Sequence, residues 1–257
     1  GYFTFFYLLG GIVMVVGFFA GGAIREPSSL NEPRASGGFW KEIGDLFNPK
    51  TIASNKPLFL LLISAMLLGV GFQVGFPYMI IYINHTIGVS KSEFAIVGGA
   101  VIIGSALLAI PLGVLADKIN KKLMLAASIV LTSLGCFLFS LAKSIPLLAL
   151  TGLVWQASNM AAAIASTAWL KDLLPQESRG RFLGIRMIFL VMLPMLIGPG
   201  IGSFLIRSFG IPGIIEGKAG LLAVPLIFQV GAMVGLLGLL PLPFLTQPTR
   251  TETEQYG

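Results

Sequence analysis

The run FAIVGGAVIIGSALLAIPLGVLADKINKK, residues 94–122, decides the class of this fold. No charge falls between Phe94 and Ala116, a stretch longer than the about 20 helical residues that cross a hydrocarbon core. A helix on a soluble domain keeps charged residues on its outer face, and this one has none on any face. The run stops at Asp117, and Lys118, Lys121 and Lys122 follow directly. The segment reads as a membrane-spanning helix that leaves a basic cluster at one surface.

Six further runs repeat the pattern, at 2–22, 57–83, 123–141, 145–170, 182–205 and 221–244. The sequence therefore predicts an all-α membrane protein with seven transmembrane helices. Barrel strands are excluded, because the runs are too long and lack polar–apolar alternation. Composition agrees: 55% of residues are hydrophobic and 11% charged, against roughly 25% charged in a soluble domain. The net charge of +6 sits on residues between apolar runs, so it reports membrane topology and no nucleic-acid partner is expected. Cys136, the sole cysteine, lies inside an apolar run and leaves no internal disulfide.

Basic residues on alternate connectors fix orientation. One side holds thirteen: Arg25, Arg34, Lys41, Lys50 and Lys56, then Lys118, Lys121 and Lys122, then Lys171, Arg179, Arg181 and Arg186, and finally Arg250. The other side holds four, Lys91, Lys143, Arg207 and Lys218. The richer side, with the C-terminus, is expected in the cytoplasm beneath the plasma membrane. The connector 23–56 carries loop chemistry in Pro27, Ser28, Ser29, Pro33, Gly37 and Gly38. Within it, Phe39, Trp40, Ile43, Leu46 and Phe47 fall at helical spacing. They fit a short amphipathic helix, either lying in the interface or packed on the end of the bundle.

The turn Gly113-Val114-Leu115-Ala116-Asp117-Lys118-Ile119-Asn120-Lys121-Lys122 resembles the signature of the major facilitator superfamily, found between the second and third helices of each six-helix half. Asn120 stands where that family has glycine, and asparagine also tolerates a left-handed turn. Leu174-Pro175-Gln176-Glu177-Ser178-Arg179-Gly180-Arg181, continuing to Gly184, is similar to the family's proline–acidic–arginine-glycine connector. Gly198-Pro199-Gly200-Ile201-Gly202 is similar to its glycine–proline element, which permits bending and close packing.

On this resemblance, residues 1–22 form the last helix of an N-terminal half and 23–56 a cytoplasmic connector. Residues 57–245 form the six-helix C-terminal bundle, built from two inverted three-helix units, and 246–257 a cytoplasmic tail. Further helices of the same protein are expected upstream of Gly1, as partners of this bundle. The resemblance implies transport of a small-molecule substrate across the bilayer by alternating access, with no cofactor and no enzymatic activity. It implies a gating role for Asp117, Lys118, Lys121, Asp172 and Arg179. Gly113 is read as letting two helices approach closely, and Lys121 or Lys122 is expected within salt-bridge range of Asp172.

Transporter sites lie near the bilayer midplane, so polar residues inside spans are the binding candidates. They are Gln73, Tyr78, Gln156, Asn159 and Gln229, with Trp155–Asn159 the densest segment. The same groups serve equally well as hydrogen bonds between helices. No Asp, Glu or Lys lies well inside a span, so a coupling carboxylate, if transport is ion-driven, belongs to the upstream helices. His85 sits at a helix end and reads as a boundary residue. A sugar-like or other metabolite carrier and a drug exporter both fit. A seven-helix receptor is the alternative class, although a retinal pigment needs a buried lysine and every lysine here lies in or beside a connector. A membrane enzyme would need clustered His, Cys, Asp or Glu in the spans, and the sequence offers none.

Overall fold

A computed structural model of the chain describes residues 2–23, 48–173, 184–215 and 217–245. The amphipathic segment 39–47, the connector containing Arg179, the tail from 246 and the side chain of Asp117 lie outside the described residues. Helix α1 (Tyr2–Ala23) belongs to a unit of its own, ending at Asn48. It is apolar over Phe6–Gly22, a stretch shorter than the spans described below.

The second unit begins at Pro49. A short helix α2 (Pro49–Ser54) leads into α3 (Lys56–Gly75), whose span continues through tighter and wider turns to Ile87. Next come α4 (Lys91–Lys118), α5 (Lys121–Leu141) and α6 (Ile145–Leu173). Helix α7 (Leu193–Phe209) follows a π turn at Ile188–Met192 within the span Gly184–Phe209, and α8 (Leu226–Leu236) opens the last span, which ends at Phe244. These six spans are long and apolar enough to cross a membrane.

Local chemistry sets the helix ends. Ser90 and Glu93 form a reciprocal capping box at the start of α4. Asn120 caps α5, accepting from the backbone N–H of Lys122 at 2.9 Å and of Leu123 at 3.2 Å. Gly88 closes the first span in the left-handed conformation, with φ +87°.

The connector after α7 departs from expectation. Residues placed in a turn and at the head of the last span instead form a hairpin, β1 (Ile211–Ile215) against β2 (Lys218–Leu222). Leu221, expected to start the span, pairs with Pro212, and the helix begins at Leu226. Ile211, Ile214 and Ile215 favour an extended backbone. Gly217, with φ +81°, supplies the turn conformation that other residues resist.

Five helix pairings carry the bundle: α3 with α7 and with α8, α6 with α4 and with α5, and α5 with α8. This pattern is unchanged when α3, α4 and α5 are exchanged for α6, α7 and α8. Alternate crossing makes α3 and α6 run in opposite directions, so the exchange relates two inverted three-helix units. The equivalent helices α4 and α7 are the least enclosed, with 11% and 22% of their apolar windows buried against 44–56% elsewhere.

Backbone contact at these crossings depends on glycine. A Cβ on Gly71 of α3 would run into Gly231 and Gly235 of α8, and one on Gly135 of α5 would lie 2.7 Å from the Trp155 nitrogen of α6. Gly113 differs from expectation: a Cβ there meets nothing within 4 Å among the described residues. The core lies where α3, α5, α6 and α8 converge, on Val74, Tyr82, Phe139, Trp155 and Phe228. Its rings meet tilted or edge to face, as at Tyr82–Phe228, 4.9 Å apart at 54°, and Phe139–Phe228, 5.2 Å apart at 63°.

Candidate functional site

A cleft of about 310 Å³ opens between α3, α6 and the start of α7. Small residues create it: Ala65 and Gly69 on α3 face Ala162 and Ala163 on α6, leaving space that larger side chains would fill. Leu68, Phe72, Val191 and Met195 give it apolar walls, and Gln73, Asn159 and Ser166 give it polar points. The α7 wall is shaped by Pro194. Proline has no N–H to offer the carbonyl four residues back, and the helix widens there into the π turn, where Leu193 donates to Ile188. π turns inside helices often accompany functional sites. Pro194 packs onto Gly69, where a Cβ would come within 3.0 Å of its ring.

Two of the five binding candidates, Gln73 and Asn159, line this cleft together. Gln156 lies one turn before Asn159, half-buried, and does not line it. Tyr78 and Gln229 are engaged between helices. The Tyr78 hydroxyl donates to the Pro199 carbonyl of α7 at 2.8 Å, and the Gln229 amide donates to Ser140 Oγ of α5 at 3.4 Å. The glycine–proline element explains how Gln73 is placed. Gly198 of α7 lies on α3 so closely that a Cβ would sit 2.9 Å from the Gln73 carbonyl carbon and 3.0 Å from the Val70 oxygen. Ser166 and the π turn were not singled out by sequence reasoning; Pro194, four residues before the glycine–proline element, was the available signal.

At one end of the bundle, Lys121 Nζ stands 2.5 Å from Asp172 Oδ2, joining the start of α5 to the end of α6. This is the expected approach. The two side chains are 28% and 39% exposed, so the pair adds only about 0–1 kcal/mol to stability. Lys122 reaches the other way, donating to the Leu245 carbonyl just past the last span at 2.9 Å. Lys118 is exposed in the last turn of α4. Arg186 of the α7 span donates to Thr167 Oγ1 of α6 at 3.0 Å. Asp117 and Arg179 cannot be placed beside these groups, since their side chains lie outside the described residues.

The sequence model of the Major Facilitator Superfamily matches residues 61–256. The chain belongs to this superfamily. It is an integral membrane protein, and its six apolar spans form an all-α bundle resembling a half-bundle of the family. The chain is 25% identical over 170 residues to the quinolone resistance protein NorA of Staphylococcus aureus strain Mu50, a match covering 66% of this chain and 43% of that protein. The same identity and coverage hold for NorA of strain MRSA252. Among solved structures, a bacterial homologue of the human lysosomal transporter Spinster, inward-facing and unoccupied, superposes with a TM-score of 0.52 at 19% identity. That match covers 79% of this chain and 47% of the other, and it concerns the fold alone. The chain thus spans less than half the length of the relatives it matches.

Proposed function

We propose that this chain forms the C-terminal half of a secondary or facilitative transporter that moves a small solute by alternating access. Its observational support is the cleft, where Gln73 and Asn159 stand among apolar walls with no charged residue among the lining groups. Residues 57–245 form the half-bundle, and 1–22 cross the membrane as a seventh span, joined to it by the cytoplasmic connector 23–56. The open helices α4 and α7 face a second half-bundle supplied by upstream helices of the same protein. Lys121 and Asp172 close the cytoplasmic end in one state and part in the other, with Asp117, Lys118 and Arg179 tuning that balance. The tail 246–257 lies in the cytoplasm below the plasma membrane.

A neutral solute with hydroxyl or amide groups fits the polar points of the cleft. Phe72, Leu68, Val191 and Met195 also favour an amphipathic drug-like solute, in keeping with the quinolone-resistance name of the relatives. Reconstitution of the full-length protein into proteoliposomes tests the proposal, with neutral sugars and amphipathic aromatic compounds as separate panels. Saturable transport of one panel is expected. Asn159→Ala and Gln73→Ala should each raise KM about 5–10-fold, the loss of one hydrogen bond to a bound solute. Transport with wild-type KM in both variants would remove the cleft from the mechanism.

A further inference from the structure

A second groove, sharing no lining residue with the cleft, lies between the start of α5 and the last turns of the span that α8 opens. It encloses about 520 Å³. Leu123, Ala126, Leu239 and Leu242 form its apolar walls, while Lys122 and Asn120 stand at its polar end. Leu123 is 63% exposed, so the groove opens away from the bundle at the level where α5 enters the membrane. Among the described residues, Lys122 is the one charged residue lining it. Its ammonium is held across the groove by neutral partners, the carbonyls of Leu245 at 2.9 Å and Pro243 at 3.4 Å. An ammonium has three donors; two are used there and the charge is kept. The neighbouring Lys121 is engaged with Asp172, and the segment 117–122 as a whole carries three lysines to one aspartate.

An apolar slot ending in a cation at the membrane surface has the polarity of one class of molecule. We propose that the α5–α8 groove binds an anionic phospholipid. Its acyl chain lies along Leu123, Ala126, Leu239 and Leu242, and its phosphate accepts from the remaining N–H of Lys122. The charge selects the headgroup, since basic residues near the surface attract anionic lipid. The walls select a lipid over a soluble phosphate. The bound lipid braces the last turns of the span that α8 opens against the start of α5, beside the Lys121–Asp172 pair.

Native mass spectrometry of the full-length, detergent-purified protein tests this, with phosphatidylglycerol and phosphatidylcholine of identical acyl chains as probes. The protein is expected to retain phosphatidylglycerol about fivefold better, the preference that one lysine confers. Lys122→Gln should abolish that preference, and Lys122→Arg, which keeps the charge, should retain it. Ala126→Phe, which fills the slot, should reduce binding of both lipids while the protein stays folded by circular dichroism. Equal retention of the two lipids by the wild type, or an undiminished preference in Lys122→Gln, overturns the proposal. Displacement of the lipid by an equal concentration of glycerol phosphate also overturns it, because the apolar walls would then contribute nothing. Dimers lost in Ala126→Phe, with no lipid retained by the wild type, would assign the groove to a second copy of the chain instead.

Discussion

Among the polar side chains inside the spans, some link helices and others face the cleft, and the difference follows from what lies opposite each one. Ser64 faces the backbone of the last span and donates to the Gly238 carbonyl at 2.6 Å; Tyr82 donates to the Ser140 carbonyl at 3.0 Å. Tyr78 and Gln229 act in the same way, as links between helices. Gln73 and Asn159 face small residues and a cleft instead. Tyr78→Phe should therefore lower the unfolding free energy in detergent by about 0.6 kcal/mol, a typical interhelical bond inside a membrane protein. It should leave KM within twofold of wild type, in contrast to Asn159→Ala. A KM shift in Tyr78→Phe as large as that of Asn159→Ala would place Tyr78 in the site.

Among the elements, glycine decides which helices touch and Lys121–Asp172 decides how two of them end together. A side chain at Gly71 meets backbone atoms of α8, which cannot swing aside as a flexible side chain would. Gly71→Val should cost at least the about 1–3 kcal/mol typical of overpacking, read as loss of folded yield in detergent. Gly113→Val at the end of α4 should leave this half-bundle folded, since that position meets open space. Asp172→Asn should change stability by no more than about 1 kcal/mol while shifting the balance of gate states. Solvent accessibility of a cysteine placed at Asn159 should rise from the cytoplasmic side in Asp172→Asn, and the charge swap Lys121→Asp with Asp172→Lys should restore it. Accessibility unchanged in Asp172→Asn would leave the pair with no part in gating.

For the whole molecule, the orientation proposed above rests on thirteen basic residues on one side against four on the other, and labelling tests it. Cys136 is buried, with its thiol 3.3 Å from the Phe228 carbonyl, so labelling starts from a Cys136→Ser background. Cysteines at Lys118 and Lys171 should react only from the cytoplasm, and those at Lys91 and Lys143 only from outside. Reaction of both sets from one side would contradict the alternate crossing on which the inverted units rest. The arrangement has a visible logic at this scale. The five pairings leave α4 and α7 open, and the exchange that relates the two units also relates these two helices.

The six apolar spans from residue 57 onward and their order were legible in the sequence, because the bilayer imposes a length rule that acts on each segment separately. The superfamily was legible because its motif is contiguous: the ten residues from Gly113 to Lys122 carry it without reference to the rest of the bundle. The hairpin at 211–222 was not, because apolar residues at a membrane surface read alike as helix or strand until pairing partners are known. Nor was the division of Gln73 and Asn159 from Tyr78 and Gln229. All four are polar groups within apolar runs, and whether each meets a carbonyl or a cleft depends on which helix packs opposite. That choice is made by glycine contacts between residues more than a hundred positions apart, as at Gly71 with Gly231, and no local property of either segment encodes it.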